Sequence, residues 1–435
     1  MNMNLIRGQT RYQTKAEVIR TLWCISVLAV GIAFPASAFC QTATWAGGTA
    51  NWFTSPSPSD WYCAPGPTPC GPPNGASGWT ARIGTVAGGS GDVTLNGGGS
   101  LTTVDNLVLG AGATATLWIQ PGAVSGTNSL KVNDTLVVGQ TSSATLYVLS
   151  NNDRHNTVST GAVIIGNQSG SNGSLGVEGL SERLIDSADM VVGNQGIGTL
   201  YISGGAIVTN DNAYVGSGAT GQGSVLVTNP GSEWGSTGNL NIGVTGKGNL
   251  TVADQGLVVA GGIIHIGANG TVTADGGTLK GNIINGGTLD VSSASGITGK
   301  YTQSSTGILS FDAEGLSDYG SLAVSGSPGP GTITFDSGSS IDVDFIDGYT
   351  PQIGDVFDLI TTTGGITDGG VIGHGVGTTG NNISFSINLV GGDDLDITIT
   401  DIPEPGTWVL LVTALFAIAV FAGHRKRVVL PDLAI

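Results

Sequence analysis

Along the middle of the chain an apolar residue followed by glycine recurs at Leu109-Gly110, Val138-Gly139, Ile165-Gly166, Val192-Gly193, Val215-Gly216, Ile242-Gly243 and Ile266-Gly267. Successive glycines stand 29, 27, 27, 23, 27 and 24 residues apart. Repeats of this length are the signature of a solenoid or an array. The residues three and one before each glycine are always apolar, from Leu107/Leu109, Leu136/Val138 and Val163/Ile165 through Met190/Val192 and Ala213/Val215 to Leu240/Ile242 and Ile264/Ile266. That alternation predicts a strand with one face on a core. Seven or nine residues after the glycine a second strand is expected, at Leu117-Trp118-Ile119, Leu146-Tyr147-Val148, Leu175-Gly176-Val177, Leu200-Tyr201-Ile202, Val225-Leu226-Val227 and Leu250-Thr251-Val252. In the seventh repeat Val272 arrives early.

No single repeat can bury its own apolar residues, so the units must stack, at about 4.8 Å per coil, into a continuous core. Glycine is 74 of 435 residues and charged residues are only 10%. Glycine without a Gly-X-Y period excludes collagen, and the regular Val, Ile, Leu and Thr positions argue against disorder. The glycines instead read as corners that need positive φ. A propeller blade would need about forty residues or more, and the leucine-rich repeat signature does not occur. The expected fold class is all-β, a right-handed parallel β-helix of the pectin-lyase-like kind, with a signal helix before it and one transmembrane helix after it. Residues 301–400 show weaker periodicity, with strands expected at Phe335–Asp336, Ile341–Phe345, Val356–Ile360, Ile383–Leu389 and Leu395–Ile399. These read as further coils with a closing cap, or as a small β-sandwich.

Both chain ends read as targeting devices. Arg7, Arg11, Lys15 and Arg20 precede the apolar stretch Leu22–Phe34, and Ala36-Ser37-Ala38 supplies the small residues signal peptidase requires, which places cleavage before Phe39. At the other end Pro403-Glu404-Pro405 is followed by Trp408, the apolar run Val409–Ala422 and the basic trio Arg425-Lys426-Arg427. Gly406 to Gly423 spans roughly 27 Å as helix, close to the hydrocarbon thickness of about 30 Å. Trp408 sits where an interfacial aromatic belongs, and the basic trio fixes the far end in the cytoplasm. The resulting layout is a signal peptide at 1–38, an N-terminal cap with a cysteine-containing loop at 39–100, and β-helix repeats at 101–300. Terminal coils and cap follow at 301–401, a sorting segment with its transmembrane helix at 402–427, and a tail at 428–435.

This order of Pro-Glu-Pro, apolar span and basic trio resembles the PEP-CTERM sorting domain of Gram-negative bacteria. The resemblance implies recognition of Pro403, Glu404 and Pro405 by an exosortase, with Arg425–Arg427 as the retention signal. The precursor would sit in the inner membrane and the mature protein at the cell surface or in the extracellular matrix. The tail Val428–Ile435 departs from the family, which usually stops soon after its arginines. The repeat Val192–Ile202 resembles the autotransporter-associated β-helix repeat, and Gly231-Ser232-Glu233-Trp234 its accompanying turn. Trp45-Ala46-Gly47-Gly48 with Asn51-Trp52, and Tyr349-Thr350-Pro351 through Phe357, resemble the ends of such passengers. No translocator barrel follows, since the residues after Thr400 are too few for even eight strands of about ten residues each.

Charge narrows the partners. Between Phe39 and Ile402 there are 28 acidic and seven basic residues. Such a surface repels phosphates, so no nucleic-acid partner is expected. The partners expected are signal peptidase and an exosortase during export, and extracellular polysaccharide afterwards. Polysaccharide-cleaving β-helices need clustered aspartates with a basic residue to stabilise developing negative charge. Arg82, Lys131, Arg154, Arg183, Lys247, Lys280 and Lys300 are spread over different repeats, and His155, His265 and His374 stand alone. No catalytic residue, cofactor or metal ligand is assigned. Asp342-Val343-Asp344-Phe345-Ile346-Asp347-Gly348 lacks calcium-loop spacing and reads as alternating acids on the wet face of a strand, whereas Asp393-Asp394-Leu395-Asp396 is a cation candidate at the domain end. Cys63 and Cys70 bracket a Pro-rich loop and are a candidate disulfide, which export permits, leaving Cys40 without a partner. A structural or adhesive surface protein is the leading expectation. The alternatives are a glycan-binding or glycan-cleaving β-helix, and an ice-binding protein. Ice binding is the weakest, because the pairs Thr271/Thr273, Thr332/Thr334 and Thr398/Thr400 read as out of register with the repeat.

Overall fold

The computed structural model describes residues 41–45, 47–52, 61–64, 68–70, 73, 78–85, 89–96, 101–121, 128–150, 155–377 and 382–402. Every regular element among them is a β-strand. Among the described residues no helix is long and apolar enough to cross a membrane. The expected signal helix and the apolar run after Gly406 lie outside the described residues.

The described residues are all-β, and their strands pair in parallel from one repeat to the next. The coil containing Val215 shows the plan, with strands Ile207–Asn210, Ala213–Val215 and Gln222–Thr228. Each pairs in parallel with its counterparts before and after: Arg183–Asp186 and Glu233–Ser236, Met190–Val192 and Leu240–Ile242, Ile197–Ser203 and Lys247–Ala253. A β-solenoid fits this pairing. The second and third strands are the two that the periodicity predicts. The first is an addition, and it corrects the reading of Gly231-Ser232-Glu233-Trp234 as a turn alone. Gly231 does turn, at φ 82°, but Glu233 opens a strand whose Trp234 is fully buried.

The core is a set of apolar columns. In the third strands Leu117, Leu146, Leu175, Leu200, Val225, Leu250, Val272, Leu289, Leu309 and Ile341 fall in one register, all at most 1% exposed. Fully burying each such side chain stabilises by about 1.5–3 kcal/mol before conformational entropy is counted. The early Val272 lies opposite Leu250, so the short seventh repeat loses its residues from the turn and not from the strand.

The corners are built as the glycine pattern requires, with one exception. Gly110, Gly139, Gly166, Gly193, Gly216 and Gly243 have φ between 63° and 79°, which side chains with a Cβ rarely adopt. Gly267 is outside that region. It is needed for space, since a Cβ there would lie 2.6 Å from the Val244 Cα. From Gly139 onward each corner donates its glycine N–H to the coil before it, as in Gly193 to the Ile165 carbonyl at 2.8 Å and Gly216 to the Val192 carbonyl at 2.8 Å. The turns therefore continue the ladder that the strands make.

Parallel pairing starts well before residue 101. Gly48–Asn51 pairs with Gly91–Thr94, and Thr80–Ile83 with Asn106–Leu109. Ile83-Gly84, at φ 71°, is thus an earlier copy of the repeated motif. The open end of the core is covered by Trp45, Trp52 and Trp61, whose rings meet at 5.2 and 5.0 Å. After residue 300 the coils continue, with Ile308–Gly315, Ser340–Phe345 and Ile372–Val376 pairing in parallel. Val356–Thr362, Asn382–Val390 and Asp394–Asp401 then pair antiparallel and close the stack beside the aromatic group Tyr319, Phe345, Tyr349 and Phe357. Of the two sequence expectations for this region, coils with a cap describe it.

Candidate functional site

Side chains alternate across a strand, so the register that stacks leucines inward also stacks a row outward. In the third strands that row runs Thr94, Trp118, Tyr147, Gly176, Tyr201, Leu226, Thr251 and Thr273. Trp118 and Tyr147 stack with centroids 4.3 Å apart and planes 20° apart. The indole is held from the other side, where Nε1 donates to Asp92 Oδ1 at 3.0 Å. Tyr147 leans on toward the next coil, and a Cβ at Gly176 would lie 3.3 Å from its ring. Glycine at 176 therefore makes room for the tyrosine. Two residues earlier on every strand a second outward row carries Thr116, Thr145, Ser174, Thr199, Ser224, Asn249, Thr271 and Thr288. Thr271 and Thr273 are thus in register with the coils around them, contrary to the sequence expectation.

Towards its far end the same face becomes acidic. Thr273 is followed by Asp290, Ser310, Asp342 and His374, and the neighbouring row carries Asp312 beside Asp344. Burial pushes the Asp312 carboxyl up to about 6, helped by repulsion from Asp290 and Asp344. Burial also raises Asp290, with Asp344 adding to it, and raises Asp344, with Asp342 adding to it. A cavity of about 530 Å³ opens here, lined among others by Asp312, Asp344, Asp347 and Val376. His374 is not solitary, as the sequence had it, because its Nδ1 lies 3.2 Å from Asp342 Oδ1. Adjacent carboxyls of which one holds its proton up to about pH 6 can serve as an acid and base pair in mildly acidic solution.

Two further acids are buried inside the coils, and sequence reasoning missed both. Glu182 continues the corner column Asn128–Asn156, and its two oxygens accept from the Asn156 N–H at 2.9 and 2.8 Å. Burial raises it to about 7, the Asn156 hydrogen bonds offsetting part of the effect. Asp186 is 4% exposed and accepts from Thr160 Oγ1 at 3.1 Å, while its Oδ2 has no partner among the described residues. Burial raises it to about 7 as well. Later coils repeat the device with neutral groups. Trp234 Nε1 donates to Asn210 Oδ1 at 2.8 Å, and Asn285, Tyr301 and Gln303 form a fully buried chain of hydrogen bonds at 3.0 and 2.7 Å.

The predicted export residues Ala36, Ala38, Phe39, Pro403, Glu404, Pro405, Trp408, Arg425, Lys426 and Arg427 lie outside the described residues. Cys63 is disulfide-bonded. The hairpin puts Cys63 opposite Thr68 and Cys70 opposite Trp61, and the Cys70 side chain is outside the described residues. His155 donates from Nδ1 to the Leu180 carbonyl at 2.8 Å, and His265 faces outward, half-buried. Burial and Asp358 raise the Asp396 carboxyl. Among the described residues no group of three or more His, Cys, Asp or Glu is arranged to hold a metal ion. No family model matches the chain, and no curated protein matches it.

Proposed function

We propose that this chain is an exported surface protein whose body is a right-handed parallel β-helix of the pectin-lyase-like kind, with a structural and adhesive role rather than a catalytic one. Signal peptidase removes residues 1–38, and an exosortase engages Pro403-Glu404-Pro405 while Arg425–Arg427 hold the precursor in the inner membrane. The mature protein then stands at the cell surface or in the extracellular matrix. The observation that carries the reading is the uninterrupted register of the inner columns, from Leu117 through Leu200 to Ile341. It leaves one long solvent-facing side on which outward residues vary without disturbing the core. Replacing Pro403-Glu404-Pro405 by three alanines tests the sorting step. The precursor should stay in the membrane, and intact residues 406–435 recovered by mass spectrometry in shed material would refute it.

A second reading, glycan cleavage, is favoured by the adjacent Asp312 and Asp344 beside the 530 Å³ cavity. It requires reducing-end release from a polysaccharide that Asp312→Asn abolishes.

A further inference from the structure

The aromatic and hydroxyl rows differ from the rest of the outward surface in what they offer together. Trp118 is fixed by its stacking on Tyr147 and by Asp92, and Tyr201 stands two coils beyond Tyr147 across Gly176. Stacked on each other, Trp118 and Tyr147 turn their edges outward and present rigid apolar surface at low conformational cost, with a polar group on each ring. The accompanying Thr145, Ser174 and Thr199 are half-buried, and no side chain among the described residues hydrogen-bonds their hydroxyls. Each hydroxyl can donate once and accept twice. Both rows advance by one coil, about 4.8 Å, so the same pairing of apolar face and hydroxyl repeats along the stack.

A ligand that matches this must itself be a repeating chain with apolar faces and hydroxyl edges. Charge decides which one. Neither row carries a lysine or arginine, and the chain as a whole has net charge −17, so a polyanionic glycan finds no counter-charge. At the rings Asp92 is taken up by the Trp118 indole and Glu178 stands beside Gly176, while the acidic cluster that a polycation would need, Asp290, Asp312, Asp342 and Asp344, lies at the far end of the face, beyond Thr273. We propose that the outward face around Trp118, Tyr147 and Tyr201 binds a neutral polysaccharide laid along the coils, its sugar faces against the rings and its hydroxyls against Thr145, Ser174 and Thr199. This deepens the adhesive part of the function proposed above, and it stands on residues remote in sequence from the sorting tail.

The test is native affinity electrophoresis of the purified full-length protein in gels cast with hydroxyethylcellulose or soluble starch, with carboxymethylcellulose as the anionic comparison. At least one neutral polymer should retard the protein, and the anionic one should not. Trp118→Ala and Tyr201→Ala should each weaken the retardation five-fold or more. Tyr214→Ala, outward on a different strand column, should leave it unchanged. Tyr201→Ala removes no stacked partner, so it remains informative where Trp118→Ala fails to fold. No retardation in either neutral gel, or equal loss in the Tyr214→Ala protein, overturns the proposal. The triple-alanine sorting variant should bind like the parent, so failure of export and failure of binding are read separately.

Discussion

Burying Glu182 and Asp186 makes stability fall as pH rises. The ordinary value of Glu182 is 4.5 and burial carries it to about 7, while Asp186 moves from 3.8 to about 7. Between those limits the folded chain keeps protons that the unfolded chain has lost. The unfolded state then binds fewer protons, so stability drops through the window and levels off above the folded value. One unit is about 1.4 kcal/mol, which gives about 3 kcal/mol for Glu182 and about 4 kcal/mol for Asp186. The perturbation to make is Glu182→Gln, which keeps the shape and an acceptor for the Asn156 N–H but has no proton to lose. Urea unfolding followed by tryptophan fluorescence at about pH 4 and about pH 8 reads the difference. The variant should gain about 3 kcal/mol on the parent between the two conditions. Asp318→Asn, at an exposed position, should run parallel to the parent. If Glu182→Gln also runs parallel, the carboxyl is not held protonated in the fold and the reasoning fails.

Val192 and Leu200 are fully buried, so Val192→Asp should cost several kcal/mol by chemical denaturation. Tyr201→Asp, on the outward face, should cost less than about 1 kcal/mol, and equal damage would mean that the facing is wrong. Tyr301→Phe leaves the buried Asn285 and Gln303 amides short of a partner, and a loss of about 1–3 kcal/mol in urea is expected. Gly193→Ala forces a Cβ into the left-handed region and against the Gln222 backbone, so it should cost more than about 1 kcal/mol. The Cβ of Gly176→Leu has the movable Glu178 and Tyr147 side chains as its nearest neighbours. The substitution should change the near-ultraviolet circular dichroism of the Trp118–Tyr147 pair with little effect on the unfolding midpoint.

The apolar-glycine period was enough to determine the strand type, the inward residues of two strands per coil and the stacking of coils, because each of these follows from local alternation and from conformations only glycine adopts readily. Leu200 and Val192 could be assigned to the core from spacing alone, and the structure has them there. The coil's first strand was not legible, because it turns only two residues inward, one apolar (Leu184, Val208, Trp234) and one polar (Asp186, Asn210, Ser236), too short an alternation to read as a hydrophobic period. Asn210 and Ser236 are tolerable inside because neighbours one coil away complete their hydrogen bonds, Asn210 accepting from Trp234 and donating to Ser236, whereas one Asp186 oxygen stays without a partner among the described residues. The same separation hid the outward rows. Trp118, Tyr147 and Tyr201 stand 29 and 54 residues apart, and nothing local marks them as one surface. Register decides it: strands about 4.8 Å apart turn residues a whole repeat distant into nearest neighbours, which put His374 beside Asp342 and set Asp312 against Asp344.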